Sequence, residues 1–414
     1  MINKEKLLHA VQSLRNYRLH HFAFRHPKTY FLTVLVAALA GYGFLLFFPI
    51  LTIVALTQLV DVAQSVPFTI NTLSEGLVWF AVFIIGIAIS HHILTVKFDF
   101  PKEVELPAAK APKLFELIEH HKDGGFWLKY FRPKFRKVLL SEHFTLEIYK
   151  TPVIGIPLWS KNTLVIGFPV MQTLPEHYFA YALQRKLIQY AKGRNIVSNW
   201  LYQLRYVWFL YPKAFSQRNL LGEQVIAWFF KLYAPLYKKI SLYAAQQEEL
   251  AADTMALGEI NDSDLFKTIQ SHTIAEYFFH SIYLPMLTNF IKDKGGIPAK
   301  LNPYTTLPVV FRKTVDEVRF KHWLEKFQQQ TLITDSITPA FSQRMRNMGQ
   351  ARIRMPKLGQ RSAAEYYFGN HYSMAAQLMD KIWRNKINQI LKQRSISDPP
   401  TSTRPHMPMK TIPS

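Results

Sequence analysis

The chain has 414 residues, with 50 Lys and Arg against 28 Asp and Glu, a net charge of +22 and no cysteine. Without cysteine there can be no disulfides, cysteine nucleophile or thiolate ligands, so His, Asp and Glu would have to form any metal site. The 49% of hydrophobic residues can bury a sizeable core, which excludes disorder over the whole length.

Two uncharged segments near the N-terminus, residues 31–60 and 77–96, predict a transmembrane helical hairpin. Neither contains Lys, Arg, Asp or Glu, and about 20 apolar residues are enough for one helix to cross a bilayer. Two alternatives stay open. One is a pair of buried core helices. The other, for the first segment, is a signal peptide, which fits poorly because about 30 residues precede it.

Flanking charge predicts the orientation of this hairpin. Residues 1–30 are basic, whereas residues 61–76 contain no Lys or Arg. Because positive flanks stay on the cytoplasmic side, we expect a basic cytoplasmic N-terminus over 1–30 and a short external loop over 61–76. Both termini would then be cytoplasmic, in a multi-pass protein of a bacterial-type inner membrane.

Residues 97–394 form the predicted cytoplasmic domain, which carries most of the positive charge. Two basic clusters, 129–137 and 344–361, favour contact with an anionic surface. Mixed cations and aromatic rings are typical of nucleic-acid binding. The tethering hairpin nevertheless favours anionic lipid headgroups, so we expect the lipid bilayer rather than nucleic acid as a partner.

Two further segments have unusual composition. Residues 199–239 are rich in Trp and Tyr, which favour the headgroup level of a bilayer, and interspersed cations make a full span unfavourable. This pattern predicts interfacial helices, with an aromatic-rich helical core as the alternative. Residues 395–414 are rich in Pro, Ser and Thr and predict a disordered tail.

A strand and a helix are predicted after residue 160. Thr163–Gly167 is apolar and β-branched, as expected of a strand. Thr173 and Glu176 then have the spacing of a capping box, which predicts a helix running to about Ala191.

This order of elements resembles the HtpX-like family of membrane zinc metallopeptidases over roughly residues 100–390. LVIGFPVMQTLPEHYFAYALQRKLIQYAKG is similar to that family's strand, turn and H-E-x-x-H helix. EELAADTMAL, in a helix expected over 242–257, is similar to its third-ligand helix, and DSITPAFSQRMRNMG to its D-x-H-P-x-x-x-x-R segment. The resemblance implies an integral membrane, mainly α (α+β) protein: a helical hairpin plus a zincin-like helical cytoplasmic domain with a small β-sheet.

The residues that would bind zinc and activate water differ from that family. The H-E-x-x-H positions hold Arg185, Lys186 and Gln189, and Thr338 stands where the later segment has His. A guanidinium has no acceptor for a cation. Lys186 cannot replace the glutamate base of the motif.

Three positions keep the family's residues, namely Glu249 at the third-ligand position, Asp253 and Arg344. The combination predicts a pseudopeptidase with no catalytic residues and no cofactor, so we expect no hydrolytic activity. Since a buried unpaired carboxylate is costly, Arg185 or Lys186 would pair with Glu249 in place of the metal.

The main alternative is an active zinc metalloendopeptidase with relocated ligands. Its metal candidates are Glu249 and the trio His272, Glu276 and His280, whose spacing of four places them on one helical face. Aromatic neighbours make an ordinary packing role the more economical interpretation of that trio.

A protein or peptide partner is the function expected of the pseudopeptidase. The predicted strand would offer a peptide-binding edge at Leu164, Ile166 and Gly167, because a free edge adds a peptide through backbone hydrogen bonds. A third alternative, based on charge alone, is a module that binds anionic lipid or nucleic acid.

Overall fold

The chain is described from a computed structural model, which covers residues 19–65, 69–99, 103–120, 135–191, 194–216, 221–294, 296–329, 336–349, 356 and 361–397. Several predicted features lie wholly or largely outside these residues. They are most of the basic N-terminus, most of the 129–137 cluster, much of the 344–361 cluster and the tail from residue 398.

Two long apolar helices begin the structure, α1 (Pro27–Gln64) and α2 (Ile70–Thr95). Each contains an 18-residue window of high mean hydropathy, 2.3 in α1 and 2.2 in α2, and each is long and apolar enough to cross a membrane. Helix occupies most of the predicted external loop over 61–76, at the end of α1 and the start of α2. α2 starts early because Thr69 caps it, accepting a hydrogen bond from Thr72 N at 3.2 Å.

Small residues bring α1 and α2 close together. A Cβ added at Gly86 would lie 2.5 Å from the hydroxyl of Thr52, which itself lies 3.4 Å from the hydroxyl of Ser90. Such contacts between small and hydroxyl side chains are typical of packed membrane helices. α1 is about 57 Å long at 1.5 Å per residue, so its N-terminal half extends beyond α2 and packs elsewhere.

A four-stranded mixed sheet lies at the start of the second part of the chain. Its strands are β1 (Val104–Glu105), β2 (Phe135–Ser141), β3 (Leu146–Pro152) and β4 (Ser160–Gly167). The order is β1-β2-β4-β3, with β4 parallel to β2 and antiparallel to β3. β4 confirms the predicted strand, and β3 lies at one edge of the sheet.

Three helices cover this sheet, α3 (Pro112–His120), α4 (Phe168–Thr173) and α5 (Glu176–Ala191). The predicted capping box is wrong. Thr173 closes α4 and its hydroxyl donates to Pro169 O at 2.8 Å, so it does not cap α5. Instead, the chain enters α5 through a bridge between Pro175 and Ser362.

The aromatic segment folds into α6 (Ile196–Phe215) and α7 (Leu221–Ile240), which pack against the N-terminal half of α1. Trp208 is fully buried, with its ring 5.3 Å from that of Tyr42 and 5.1 Å from that of Phe230. The inner face is therefore an aromatic-rich helical core. The outer face of α7 exposes apolar side chains such as Trp228 and Leu232, and its interfacial placement stays a prediction.

The remaining helices complete a separate apolar core beneath the sheet. They are α8 (Leu242–Leu257), α9 (Asp262–Tyr277), a π-helical turn (Phe278–Tyr283), α10 (Leu284–Asp293), α11 (Pro303–Thr314), α12 (Glu317–Gln329), α13 (Phe341–Asn347), α14 (Ala363–Phe368) and α15 (Tyr372–Ser397). α15 runs to Ser397, so the first three residues of the predicted tail, 395–397, are helical.

Candidate functional site: a buried ion-pair cluster

The two helices singled out by sequence, α5 and α8, meet at Glu249. Arg185 Nη2 lies 2.9 Å from Glu249 Oε2, and Lys186 Nζ lies 3.3 Å from Oε1. Gln189 Nε2 donates to Oε1 at 2.9 Å. The three α5 residues aligned with H-E-x-x-H therefore all contact the one carboxylate that the alignment placed at the third-ligand position.

Asp253, one turn further along α8, forms a second layer of the same cluster. Its Oδ1 accepts from Arg185 Nε at 2.5 Å. Arg344 on α13 donates to both carboxylate oxygens of Asp253 at 2.8 Å, in the two-pronged geometry that suits guanidinium and carboxylate. Asp253 is fully buried, and Arg185 thus joins the two carboxylates of α8.

Two members of the cluster were missed by sequence reasoning. Tyr202 on α6 donates its hydroxyl to Glu249 Oε1 at 2.7 Å, and Glu147 on β3 lies 2.9 Å from Lys186 Nζ. Tyr202 falls in the aromatic segment, where its composition points to the membrane interface rather than to this site. β3 was not predicted, although Glu147 alternates with buried Leu146 and Ile148 as one face of a strand would.

Charge is balanced inside the cluster, which contains three cations and three carboxylates. Burial alone would raise the pKa of the Glu249 carboxyl, but the charges of Lys186 and Arg185, with the hydrogen bonds from Gln189 and Tyr202, hold that pKa well below its ordinary value. Glu249 therefore stays ionised and paired.

The second layer follows the same electrostatic rule. Burial opposes ionisation of Asp253, and the charges of Arg185 and Arg344 outweigh it, so the pKa of Asp253 is lowered. For Lys186, burial acts against the charged form, while Glu147 and Glu249 favour it and raise the pKa. All three groups are held in their charged forms.

A cavity of about 340 Å³ opens onto this cluster. The charged side chains of Arg185, Lys186, Glu249 and Arg344 form part of its wall, and Thr338, at the aligned histidine position, also lines it. The cavity is large enough for several side chains of a bound ligand. The structure thus brings five of the seven aligned positions to one cavity, while Gln189 and Asp253 contact that group from outside the lining.

The residues around this cavity do not fit a zinc ion. Zinc needs neutral imidazole, thiolate or carboxylate ligands, whereas Glu249 here faces two cations. His272 also lines the cavity. In the described part of the chain, no group of three His, Cys, Asp or Glu side chains is placed to hold a metal ion.

The trio suggested as relocated ligands does not converge. His272 Nδ1 lies 4.0 Å from Glu276 Oε2, and both line the cavity, whereas His280 falls outside its lining residues. His280 sits in the π-helical turn Phe278–Tyr283. The rings of His272 and His280 both approach that of Phe144, at 5.2 Å and 6.2 Å, so a shared helical face does not by itself bring the three side chains to one metal-binding point.

The predicted peptide edge is also wrong. Leu164, Ile166 and Gly167 lie on β4, which is paired on both sides, with β2 and with β3. Strand order depends on distant parts of the chain, which the local pattern cannot show. Of the described strands, β3 lies beside β4 at the edge of the sheet nearest the cluster, and Leu146 and Glu147 line the cavity.

Comparison with known proteins gave no match: no family model, no curated protein and no solved structure is significantly similar to this chain.

Proposed function

We propose that this chain is a membrane-anchored pseudopeptidase with an HtpX-like, zincin-like cytoplasmic domain, in which an ion-pair cluster occupies the place of the metal. The observation that carries this proposal is the environment of Glu249. Its carboxylate is contacted by Arg185, Lys186 and Gln189, the three residues aligned with H-E-x-x-H. Salt bridges substitute for coordination at the same point between the same two helices.

Binding of a polypeptide partner is the activity that this arrangement supports. The cavity lies against β3, an edge strand with the half-buried side chains of Glu147 and Tyr149 on one face. An extended peptide can add to such an edge through backbone hydrogen bonds, with its side chains entering the adjacent pocket. The polar wall would favour partners with charged or hydrogen-bonding side chains.

Membrane anchoring completes the proposal. Two helices are long and apolar enough to span, and the basic N-terminus places both termini in the cytoplasm by the positive-inside rule. The bilayer is then the second partner, and the cluster lies on the cytoplasmic side of a bacterial-type inner membrane.

Photo-crosslinking tests the peptide-binding part. p-Benzoylphenylalanine would replace Tyr149 on β3, and in a control protein Tyr366 on α14, both half-buried tyrosines. The full chain in detergent is mixed with a labelled unfolded polypeptide and irradiated. We expect crosslinks from position 149 and none from 366. Equal crosslinking, or none at 149, would contradict peptide binding at this edge.

Measurements of metal content and hydrolysis test the proposal that the chain does not carry out metal-dependent hydrolysis. The purified full chain should contain far less than one zinc per molecule, and Glu249→Gln should not alter any trace cleavage of the same polypeptide. Stoichiometric zinc that is removed by a chelator together with proteolysis would establish the alternative, an active metalloendopeptidase, which also requires Glu249→Gln to abolish turnover.

A further inference from the structure

The connection between β3 and β4, residues 153–159, exposes large apolar side chains. Leu158 is 64% exposed and Trp159 is 65% exposed, with Val153 close behind at 43%. Single exposed apolar residues are ordinary on protein surfaces. Three within seven residues, in a connection that carries no charged residue, form a continuous apolar tip.

This tip is fixed to the last turn of α2 and to the N-terminal half of α1. Gly155 N donates to Ile93 O on α2 at 2.8 Å, and Tyr42 on α1 donates its hydroxyl to Pro157 O at 3.2 Å. Gly155 O accepts from the hydroxyl of Tyr211 at 2.6 Å. The connection is therefore attached to both candidate spans and to α6.

Glycine is required at the point of attachment. A Cβ added at Gly155 would lie 1.9 Å from Ile93 O, far inside van der Waals contact. Any side chain would push the connection away from α2. The close approach sets the height of the tip relative to α2.

The attachment lies at the level where α2 leaves its apolar surroundings. Ile93 is two residues from the end of α2 at Thr95, and charge begins directly afterwards with Lys97 and with Asp99, which pairs with Lys213 at 3.2 Å. Trp159 is four residues from Gly155, a reach of at most about 14 Å. Tryptophan prefers this boundary between headgroups and hydrocarbon.

We propose that residues 153–159 insert into the headgroup layer of the bilayer, with Leu158 and Trp159 as the membrane-contacting side chains. The inference rests on the proposed anchoring by α1 and α2 and adds a third point of contact. The occupant is phospholipid, because the tip is continuous with the exposed apolar faces of those two helices, including Leu94 at the end of α2.

A third contact fixes the orientation of the site. β3 leads from the cavity-lining Glu147 to this connection in five residues, a length of about 17 Å at 3.3–3.4 Å per residue. The edge strand and the cavity are therefore held close to the membrane surface, and the cytoplasmic domain cannot swing freely about the hairpin.

The absence of cysteine makes a clean experiment possible. Leu158→Cys is labelled with an environment-sensitive fluorophore and the full chain is reconstituted in phosphatidylcholine–phosphatidylglycerol nanodiscs. The nanodiscs contain no quencher, lipids with a spin-label quencher near the headgroup, or lipids with the quencher in the middle of the acyl chain. Val318→Cys, an apolar position on α12 that is 78% exposed against 64% for Leu158, is the matched control. Ile53→Cys, exposed on α1, reports the span itself.

We expect the headgroup quencher to lower the fluorescence of the label at position 158 about twofold, because that position would lie at the headgroup level. The fluorescence of the label at position 318 should not change. Gly155→Ala, combined with Leu158→Cys, should reduce the quenching. Quenching at 53 by the acyl-chain quencher, with none at 158 by the headgroup quencher, would overturn the third contact while leaving the anchoring intact. No quenching at 53 by the acyl-chain quencher would overturn the proposed anchoring, and the third contact with it.

A protein partner on the tip is the competing occupant. In that case the label at 158 responds equally in nanodiscs with and without the quencher and shifts its emission only when a partner protein is added, which would overturn lipid contact.

Discussion

Glu249 shows how a buried carboxylate is held by paired charges and hydrogen bonds. A carboxylate that is nine-tenths buried needs positive charge nearby, and two cations and two neutral donors contact this one. The cost of desolvating several charges offsets much of their attraction. The net contribution of the intact cluster to stability is therefore small. Losing one member, however, leaves a buried charge without its partner and lowers the free energy of unfolding.

Removing the charge of Glu249 directly tests how much the paired charges stabilise the fold. Glu249→Gln leaves Arg185 and Lys186 without one carboxylate partner in a buried site, so we expect a loss of about 3–5 kcal/mol in the free energy of unfolding. Glu325→Gln on α12 is the matched control, because its pair with Lys321, at 4.0 Å, is exposed. Exposed pairs contribute at most about 1 kcal/mol.

Denaturant unfolding of the detergent-solubilised chain, followed by tryptophan fluorescence, measures both variants. If Glu249→Gln costs no more than Glu325→Gln, then the contacts around Glu249 do not stabilise the fold.

The stability of the folded chain should depend on pH through His272, which lies beside the cluster. Burial first, and then the positive charges of Arg344, Arg185 and Lys186, lower the pKa of His272 to about 3. Its side chain is 28% exposed, and that surface lines the cavity. Between pH 6.5 and about 3 the unfolded chain binds a proton here that the folded chain refuses, so folded stability falls with falling pH across this window.

His272→Gln should remove that loss. We expect the variant to lose less unfolding free energy than the parent chain between about pH 7.5 and pH 5, since its side chain does not titrate. His322→Gln, an exposed histidine on α12, serves as the control and should behave like the parent. The lowered pKa values of Glu249 and Asp253 act at lower pH, because their contribution is present above about pH 4 and is lost only as pH falls further. Parallel pH curves for His272→Gln and the parent would contradict the argument.

At the scale of elements, the packing of α1 on α6 and α7 depends on one small residue. A Cβ added at Gly41 would lie 2.9 Å from the ring of Trp208 and 3.0 Å from that of Tyr233. Both rings belong to the aromatic core, and interiors packed this closely tolerate little added volume. Gly43, two residues along the same helix, has nothing within 4 Å.

These two glycines form a matched pair of tests. Gly41→Ala should destabilise the full chain by about 1–3 kcal/mol, the usual cost of overpacking. Gly43→Ala should stabilise it by up to about 1 kcal/mol, because alanine is the better helix former. Thermal unfolding in detergent compares them. A similar shift for both would mean that α1 does not pack tightly on Trp208.

The helices and strands also show which parts of the fold can be predicted from local sequence patterns. The strand β4 and the helices α5 and α8 are visible because their residues carry a local pattern of apolar spacing and stops. The meeting of Arg185 with Glu249 followed from aligning two such helices. Tyr202, Glu147 and the internal place of β4 depend on contacts between segments far apart in the chain, and no local pattern specifies them.

The same dependence on local patterns explains why the predicted ends of the two hairpin helices differ from the observed ends. Absence of charge identified both apolar segments, but charge alone set the predicted ends. Helix continues past the last apolar residue wherever a cap or a good former allows it, as at Thr69. Much of the predicted external loop is therefore helical, and the number of apolar helices was predicted correctly.

At the scale of the whole molecule, the described residues form two separate apolar cores. One joins α1 to α6 and α7, and the other lies beneath the sheet. Tyr202 crosses between them, since it belongs to α6 and donates to Glu249. A shift of α6 relative to α1 would therefore reach the ion-pair cluster directly, and the proposed membrane contacts and the proposed binding site would be mechanically coupled.

The proposed topology makes a last prediction for the intact molecule. If α1 and α2 span the bilayer as a hairpin with the large domain inside, an exposed cysteine in the first turn of α2 faces outward. In the cysteine-free chain, Asn71→Cys should react with a membrane-impermeant maleimide in intact cells. Met374→Cys, exposed on α15, should react only after the cells are lysed, because the positive flanks hold its side of the hairpin in the cytoplasm. Reaction of both positions before lysis, or of position 374 alone, would reverse or abolish the proposed orientation.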